Sequence, residues 1–253
     1  MRVGAYQAPL LDAGSMDALG LIRERVEQCE AEGVEILCCP EGILGGLADY
    51  ADDPGAFAIP VSQVDSVLAP LASGTVTTIV GFTELADEGK LYNAAAVFHR
   101  GAVAGIYRKL HPAINRSVYE AGRETPVFTV GALTFGIIIC NDSNYFEPAR
   151  LMAARGAAAL FVPTNNGMPP AKGGAELVAL ARSVDIARAT ENHVWVIRAD
   201  VAGRAGALVS HGSSGIVDPD GKVVQSARQL SADLVVAEIN VGRRASVPDD
   251  AGL

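Results

Sequence analysis

The chain has 253 residues, of which 49% are hydrophobic and 19% are charged, and its formal net charge is −9. This length is enough for one large α/β domain with a sizeable core, and the composition is that of a globular chain, not a disordered one. The net negative charge and the lack of any Lys/Arg cluster interleaved with aromatic residues argue against a nucleic-acid-binding surface.

The chain start and the cysteines bear on the compartment. The opening stretch MRVGAYQAPLL lacks the basic and long apolar segments of a signal peptide, and its pattern is that of a first strand. No apolar stretch approaches the roughly 18 residues of a membrane span. The four cysteines form no CxxC pair and no metal-ligand spacing with the four histidines. We therefore expect a cytoplasmic protein with no metal site and no membrane partner.

The first forty residues predict a βαβ unit. Residues 2–7 have a strand pattern, and a helix with apolar residues at helical spacing then runs to about Glu32. Gly33 supplies the stop signal. Residues 34–39 form a second buried strand pattern, which implies a parallel pair with a right-handed crossover.

The rest of the chain alternates strand and helix patterns in a way that predicts a layered α/β body. Further strands are predicted at residues 76–85, 91–99, 102–107, 127–130, 133–139, 158–162, 194–199, 214–217, 222–225 and 234–240. Further helices are predicted at residues 62–71, 146–155 and 175–191. Two half-sheets with helices outside them would form an α-β-β-α arrangement. No linker divides the chain, so we predict a single domain over residues 1–253, with a loosely held tail from about residue 242.

Three chemically active side chains stand at the ends of predicted strands. Cys140 follows the continuous apolar run 135–139, which is typical of a strand buried on both faces. Lys109 ends a three-stranded meander, and Glu41 follows the second strand of the βαβ unit. Open α/β sheets bind their ligands at the carboxyl ends of strands. These three positions are therefore candidates for one site.

If the three strand ends converge, their side chains have complementary roles. A free thiol has a pKa of about 8.5 and only its thiolate is a strong nucleophile. Glu41 could accept the thiol proton, and Lys109 could supply a cation beside Cys140. The backbone N–H of Asn141 could then form an oxyanion hole together with Lys109. This is chemistry for acyl transfer from an amide or a nitrile.

Each of these residues also has a purely structural interpretation. A lone cysteine after an apolar strand is commonly a small core residue. Lys109 beside Arg108 could be a solvated pair, and Glu41 after a proline could cap the following turn. Spacing alone leaves both interpretations open.

Three motifs of this chain, in this order, resemble the catalytic motifs of the nitrilase, or carbon–nitrogen hydrolase, superfamily. They are CPEG at residues 39–42, YRKLHP at 107–112 and GIIICND at 136–142. Further similarities extend along nearly the whole chain, at YNAA (92–95), PTN (163–165), RATEN (188–192) and DPDG (218–221).

The resemblance implies a four-layer α-β-β-α sandwich, usually dimerised through helices, without a metal or a cofactor. It implies that Glu41 is the base, Lys109 the transition-state cation and Cys140 the nucleophile that forms a thioester. Cys-Asn-Asp is closer to the amidase and carbamoylase branches than to the Cys-Trp-Glu of typical nitrilases. The favoured function is therefore hydrolysis of a non-peptide C–N bond in a small amide or carbamoyl compound. The expected partners are that substrate, water and a second copy of the chain in a homodimer or higher homo-oligomer.

The chain departs from the superfamily pattern where substrate residues are expected. Many members carry a second glutamate before a Pro-Gly, and in the comparable stretch NRSVYEAG (115–122) the nearest carboxylate, Glu120, is displaced. Glu120, Asn165 and Arg116 are the candidate substrate-binding residues. Arg116 could receive an acidic substrate or could simply be solvated. Residues 45–47 also lack the tyrosine often found soon after the first glutamate.

Two other functions are compatible with the same motifs. One is an acyltransferase that passes the thioester to an amine, and the other is a catalytically silent binding or regulatory member of the fold. A serine hydrolase is disfavoured because GSSG at residues 212–215 does not match the G-x-S-x-G spacing.

Overall fold

The computed structural model of the protein describes residues 1–15, 17–113, 117–172 and 174–240. Within these residues the strands are β1 (Arg2–Pro9), β2 (Ile36–Cys38), β3 (Ile59–Pro60), β4 (Thr77–Leu85), β5 (Leu91–His99), β6 (Ala102–Arg108), β7 (Val127–Val130), β8 (Leu133–Ile137), β9 (Ala159–Pro163), β10 (Trp195–Ala199), β11 (Val201–Ala205), β12 (Leu208–Ser210), β13 (Gly215–Val217), β14 (Val223–Ser226) and β15 (Asp233–Glu238). The α-helices are α1 (Ala18–Glu32), α2 (Val64–Leu68), α3 (Phe146–Ala154) and α4 (Ala175–Asn192). Arg116 and the predicted loose tail lie outside the described residues.

The described strands form two sheets. The first has the order β12-β11-β1-β2-β4-β5-β6, with β15 also paired to β1 and β3 to β4. The second has the order β14-β13-β10-β9-β8-β7. β1 and β2 are parallel, with Val3 opposite Ile36, as the βαβ pattern predicts. β9 is parallel to both of its neighbours, so the carboxyl ends of β8, β9 and β10 lie at one edge of their sheet.

Two apolar clusters give the molecule its four layers. The larger one joins the two sheets, with Cys38 and Val97 of the first sheet and Phe161 of the second among its fully buried members. The other packs α1 and α2 on the first sheet, with Ile22 and Leu68 buried there. α3 and α4 contact β8 and β10 of the second sheet. The architecture is therefore the predicted α-β-β-α sandwich.

A glycine allows α3 to pack closely on the second sheet. A Cβ at Gly136 of β8 would overlap with the side chain of Met152, which is fully buried in α3. Because β8 leads directly to Cys140, this close packing helps to fix the position at which the strand ends.

The sequence patterns missed the hairpin of β11 and β12 and the two-residue β3, and they lengthened one helix. The hairpin of β11 and β12, which adds to the edge of the first sheet, was not predicted because its glycines weaken the strand pattern. Gly203 and Gly206 have positive φ angles of 104° and 51°. Residues 62–71 form only the five-residue α2, flanked by the short 3-10 helices Val61–Gln63 and Ala69–Leu71. Pro70 lies in the second of these and lacks the N–H that would extend an α-helix.

Candidate active site

The structure brings the side chains of Glu41, Lys109 and Cys140 together. Glu41 follows β2, Lys109 follows β6, and Cys140 opens a short 3-10 helix, Cys140–Asn144, after β8. Lys109 Nζ donates a hydrogen bond of 2.5 Å to Glu41 Oε1, and these side chains are only 3% and 2% exposed. Cys140 is half-buried, and the charges of both residues act on its thiol.

Glu41 is held by one donor from β5 and one from the residues that follow β9. Asn93 Nδ2 donates to Oε1 at 2.8 Å, and the backbone N–H of Asn165 donates to Oε2 at 3.0 Å. Asn165 Nδ2 lies 3.4 Å from the backbone oxygen of Glu41. A Cβ at Gly81 of β4 would overlap with the backbone around Glu41, so glycine permits this loop to lie against the strand. The carboxylate is therefore fixed in one orientation.

Lys109 keeps a positive charge despite its burial. Burial alone lowers the pKa of its ammonium group, but the charge of Glu41 offsets this and raises the pKa above its ordinary value. Its backbone is also fixed, since its N–H donates to Asn93 O and its carbonyl accepts from Gly122 N–H, both at 2.8 Å. Lys109 can therefore serve as a fixed cation but not as a proton acceptor at neutral pH.

Cys140 combines a strained backbone with a protonated thiol. Its φ angle of +44° lies in the left-handed region, which costs a non-glycine residue about 1–2 kcal/mol. Burial, and then the charge of Glu41, raise the pKa of the thiol to about 12, while Lys109 and Arg198 act in the opposite direction. The resting thiol is therefore neutral and needs a base before it can attack a substrate.

Asp142 links the strand end that carries Lys109 to the turn that carries Cys140. Its fully buried carboxylate accepts hydrogen bonds from the Tyr107 hydroxyl at 2.7 Å, the His111 N–H at 2.8 Å and the Ile139 N–H at 3.0 Å. Burial raises the pKa of this carboxyl, and the charge of Lys109 together with the three donors opposes that rise. The residue therefore fixes the two strand ends relative to each other.

The other residues predicted for the site lie in different surroundings. Asn141 follows Cys140 in the first turn of the 3-10 helix, and its side chain donates to His111 O at 3.1 Å. Asn165 contacts Glu41 as described above. Glu120 is exposed, and its backbone N–H donates to Leu91 O at 2.8 Å, with no described contact to the Glu41–Lys109 pair. Arg116 lies outside the described residues.

A tyrosine does lie near this cluster, although residues 45–47 contain none. Tyr50 is exposed at the end of the short 3-10 helix Ala48–Tyr50, and its hydroxyl lies 3.9 Å from Met168 Sδ. Partial burial is the largest cause that raises the pKa of its phenol, and the charges of Asp49 and Glu41 add to it. Tyr50 therefore lies within electrostatic range of the Glu41–Lys109 pair.

The irregular segment after Lys109 is anchored to the same short helix. The Val118 N–H donates to Asp49 Oδ1 at 2.8 Å, and the Ala48 N–H donates to the hydroxyl of the buried Tyr119 at 2.7 Å. These hydrogen bonds hold the segment against the short helix that ends at Tyr50.

Three residues of the site were missed by the sequence interpretation. Asn93 and Asp142 stood inside stretches that resembled the superfamily, but nothing in the spacing showed which groups they hold. Tyr50 is nine residues from Glu41 and lies beyond residues 45–47, where the superfamily pattern led us to expect a tyrosine. Burial and hydrogen-bond partners, which depend on the folded backbone, are the signals that identify them.

The chain belongs to the carbon–nitrogen hydrolase family of the nitrilase superfamily, whose sequence profile matches residues 2–249. It is 31% identical over 222 residues to a nitrilase of Pyrococcus abyssi, covering 85% of this chain and 80% of that protein. It is 29% identical over 232 residues to an (R)-stereoselective amidase of Pseudomonas sp., covering 90% and 81%.

A solved structure shows the same fold. A point mutant of the Nesterenkonia AN1 amidase, a member of the nitrilase superfamily, superposes with a TM-score of 0.78 at 23% identity, covering 94% of this chain and 90% of that one. The resemblance seen in the sequence is thus confirmed, and the protein is a carbon–nitrogen hydrolase with nitrilase and amidase relatives.

The described residues lack two kinds of feature. No helix among them is both long and apolar enough to cross a membrane. In the same part of the chain, no group of three or more His, Cys, Asp or Glu side chains is arranged to hold a metal ion.

Proposed function

We propose that this hydrolase cleaves the C–N bond of a small amide or carbamoyl compound through a thioester on Cys140. The observation that carries the proposal is the buried Lys109–Glu41 ion pair of 2.5 Å beside the half-buried thiol. An amide is favoured over a nitrile by the Cys-Asn-Asp sequence and by the amidase among the relatives.

In the first half-reaction Glu41 accepts the thiol proton while the sulfur of Cys140 attacks the carbonyl carbon. The raised pKa of the thiol requires this coupling, since little thiolate exists at neutral pH before the substrate arrives. The C–S bond forms, and the carbonyl electron pair moves to oxygen. The Lys109 ammonium and the Asn141 N–H stabilise that oxyanion.

Collapse of this intermediate releases the nitrogen product. Glu41 returns the proton to the substrate nitrogen, the C–N bond breaks, and ammonia or an amine leaves a thioester on Cys140. Water then attacks the thioester carbon and gives a proton to Glu41. The C–S bond breaks, the acid is released, and the sulfur recovers its proton from Glu41.

Release of ammonia or amine from a panel of small amides, ureido acids and ω-amidated dicarboxylates tests this proposal. We expect release by the native chain and none by Cys140→Ala, with intact-mass detection of an acyl adduct on Cys140. The matched control is Cys29→Ala, since Cys29 is a buried cysteine of α1 that belongs to the other apolar cluster. Release that survives Cys140→Ala would contradict the mechanism.

We also propose that two copies of the chain associate through α3 and α4. Phe146 and Leu151 on α3 and Leu180 on α4 are 53%, 42% and 55% exposed. α3 and α4 contact each other, and a face of large exposed apolar side chains commonly marks an interaction surface. A second copy of the chain is the partner that the superfamily resemblance favours.

A further inference from the structure

We propose that Arg198 and Ser143 are positioning residues that hold the Cys140–Asn141 peptide with its N–H directed at the acyl oxyanion. The inference rests on the proposed function. It goes beyond it because neither residue belongs to the three motifs that resemble the superfamily.

A two-step hydrogen-bond relay leads from a buried cation to this peptide. Arg198, in β10, is only 2% exposed, and its Nη2 donates to Ser143 Oγ at 3.1 Å. Ser143 Oγ in turn donates to the carbonyl oxygen of Cys140 at 2.7 Å. A guanidinium group can only donate, so the serine hydroxyl must accept from it and has its single proton for Cys140. The direction of the relay is therefore fixed.

The relay controls the oxyanion donor because a peptide group is planar. The C=O of Cys140 and the N–H of Asn141 belong to the same peptide unit, so fixing the direction of one fixes the direction of the other. A hydrogen bond supported by a cation also polarises this unit and makes its N–H a stronger donor. The positive φ of Cys140 needs such support, because strained backbone persists only where its surroundings determine it.

Arg198 is itself immobilised between the two halves of the site. Its Nε donates to both carboxylate oxygens of Asp185 in α4, at 3.0 and 2.9 Å, and its Nη2 to Oδ1 at 2.5 Å. Its Nη1 donates to Thr164 Oγ1 at 2.7 Å, and the Thr164 carbonyl accepts from the Glu41 N–H at 3.3 Å. One guanidinium group thus holds both the turn that carries Cys140 and the strand end that lies next to Glu41.

The hydrogen bonds of Arg198 are better suited to positioning the Cys140–Asn141 peptide than to stabilising the fold. A buried ion pair contributes little net stability, because desolvation of the two charges offsets their attraction. The planar fork of arginine can reach Asp185, Thr164 and Ser143 at once, whereas lysine presents a single ammonium. Arg198 therefore contributes the fixed directions of its hydrogen bonds to the site, in addition to its charge.

Two reactions of the Cys140 thiol separate an effect on the oxyanion from an effect on the thiol. Acylation by the p-nitrophenyl ester of a short carboxylic acid forms a tetrahedral oxyanion and releases p-nitrophenol in a burst. Methyl methanethiosulfonate forms a disulfide with the thiol and releases methanesulfinate, with no carbonyl oxyanion. Both rates are measured on the full chain after its folding has been verified by circular dichroism.

We expect Ser143→Ala to lower the acylation rate by about 10-fold or more, since loss of a whole oxyanion donor costs roughly 10²–10³-fold. The rate with methyl methanethiosulfonate should change by less than about twofold. Arg198→Lys should reproduce the selective loss, because lysine keeps the charge without the fork. The control Ser210→Ala also removes a buried hydroxyl bonded to a backbone carbonyl, that of Val201 at 2.6 Å, and should leave both rates unchanged.

Equal falls of both rates in Ser143→Ala, or no fall in acylation, would overturn the inference while the proposed function stood. A native chain that releases no p-nitrophenol, or release that persists in Cys140→Ala, would instead contradict the proposed function and the inference with it.

Discussion

The raised thiol pKa of Cys140 distinguishes this site from one in which the cysteine is already a thiolate at neutral pH before substrate binds. Burial and the neighbouring Glu41 charge keep the sulfur protonated, although Lys109 and Arg198 both favour the anion. Because Lys109 is paired with Glu41 at 2.5 Å, its charge is largely balanced by the carboxylate while the site is at rest. Proton transfer from the thiol to Glu41 removes that balance and leaves the lysine charge for the developing oxyanion.

Glu41→Gln should therefore produce more thiolate but less catalysis. Loss of the carboxylate removes an anion that raises the pKa of Cys140 and leaves the Lys109 charge unopposed, so the thiol pKa should fall. Amide hydrolysis should nevertheless fall by about 100-fold or more, because general base catalysis contributes roughly 10²–10⁴-fold. The pH dependence of the reaction with methyl methanethiosulfonate measures the first effect, and ammonia release measures the second.

Glu27→Gln provides the control for this experiment, since Glu27 is an exposed carboxylate of α1 that pairs with Arg23. It should leave the thiol pKa and the hydrolysis rate unchanged. An unchanged or higher thiol pKa in Glu41→Gln would show that the carboxylate does not act on Cys140 as described.

At the scale of elements, the strand ends that carry the site could be predicted, but the groups that join them could not. The apolar run before Cys140 and the βαβ pattern before Glu41 are periodic signals that survive in the sequence. The resemblance to the superfamily supplied the expectation that Lys109 meets them. The contact of Asn93 with Glu41 joins residues 52 positions apart, and that of Tyr107 with Asp142 joins residues 35 positions apart. Hydrophobic periodicity carries no information about such pairs. The β11–β12 hairpin was missed because turn glycines and small residues masked its strand pattern.

Asp142→Asn tests the link between the strand ends of Lys109 and Cys140. A carboxylate accepts the N–H groups of both His111 and Ile139, whereas an amide has one acceptor oxygen and turns its NH₂ toward the other N–H. A buried donor without a partner costs about 1–3 kcal/mol, so the free energy of unfolding should fall by at least that amount. Urea denaturation measures it, and the hydrolysis rate should fall with it.

The comparison variant is Tyr107→Phe, which removes only the hydroxyl donor and leaves both backbone N–H groups satisfied. It should lower the free energy of unfolding by about 1 kcal/mol, the net value of a typical hydrogen bond. Equal destabilisation by the two substitutions would mean that Asp142 does not act mainly through the backbone of the two strand ends.

At the scale of the whole molecule, one helix belongs both to the exposed apolar face and to the site. α4 presents Leu180 to solvent, and five residues further along it carries the buried Asp185 that anchors Arg198. α3 begins two residues after the turn of Cys140 and presents Phe146 and Leu151. Association of two chains through this face would therefore rest on the helices that support the nucleophile.

Leu180→Glu should weaken association of the proposed homodimer without unfolding the chain. An exposed side chain of a single copy can be replaced with a change of about 0.5 kcal/mol or less in stability, whereas a charge buried unpaired between two copies costs far more. Sedimentation equilibrium should show a dimer for the native chain and a shift toward monomer for Leu180→Glu.

The control is Val61→Glu, which changes a similarly exposed apolar residue beside α2, in the opposite outer layer, and should remain dimeric. A monomeric native chain, or equal association of the two variants, would contradict the proposed interface.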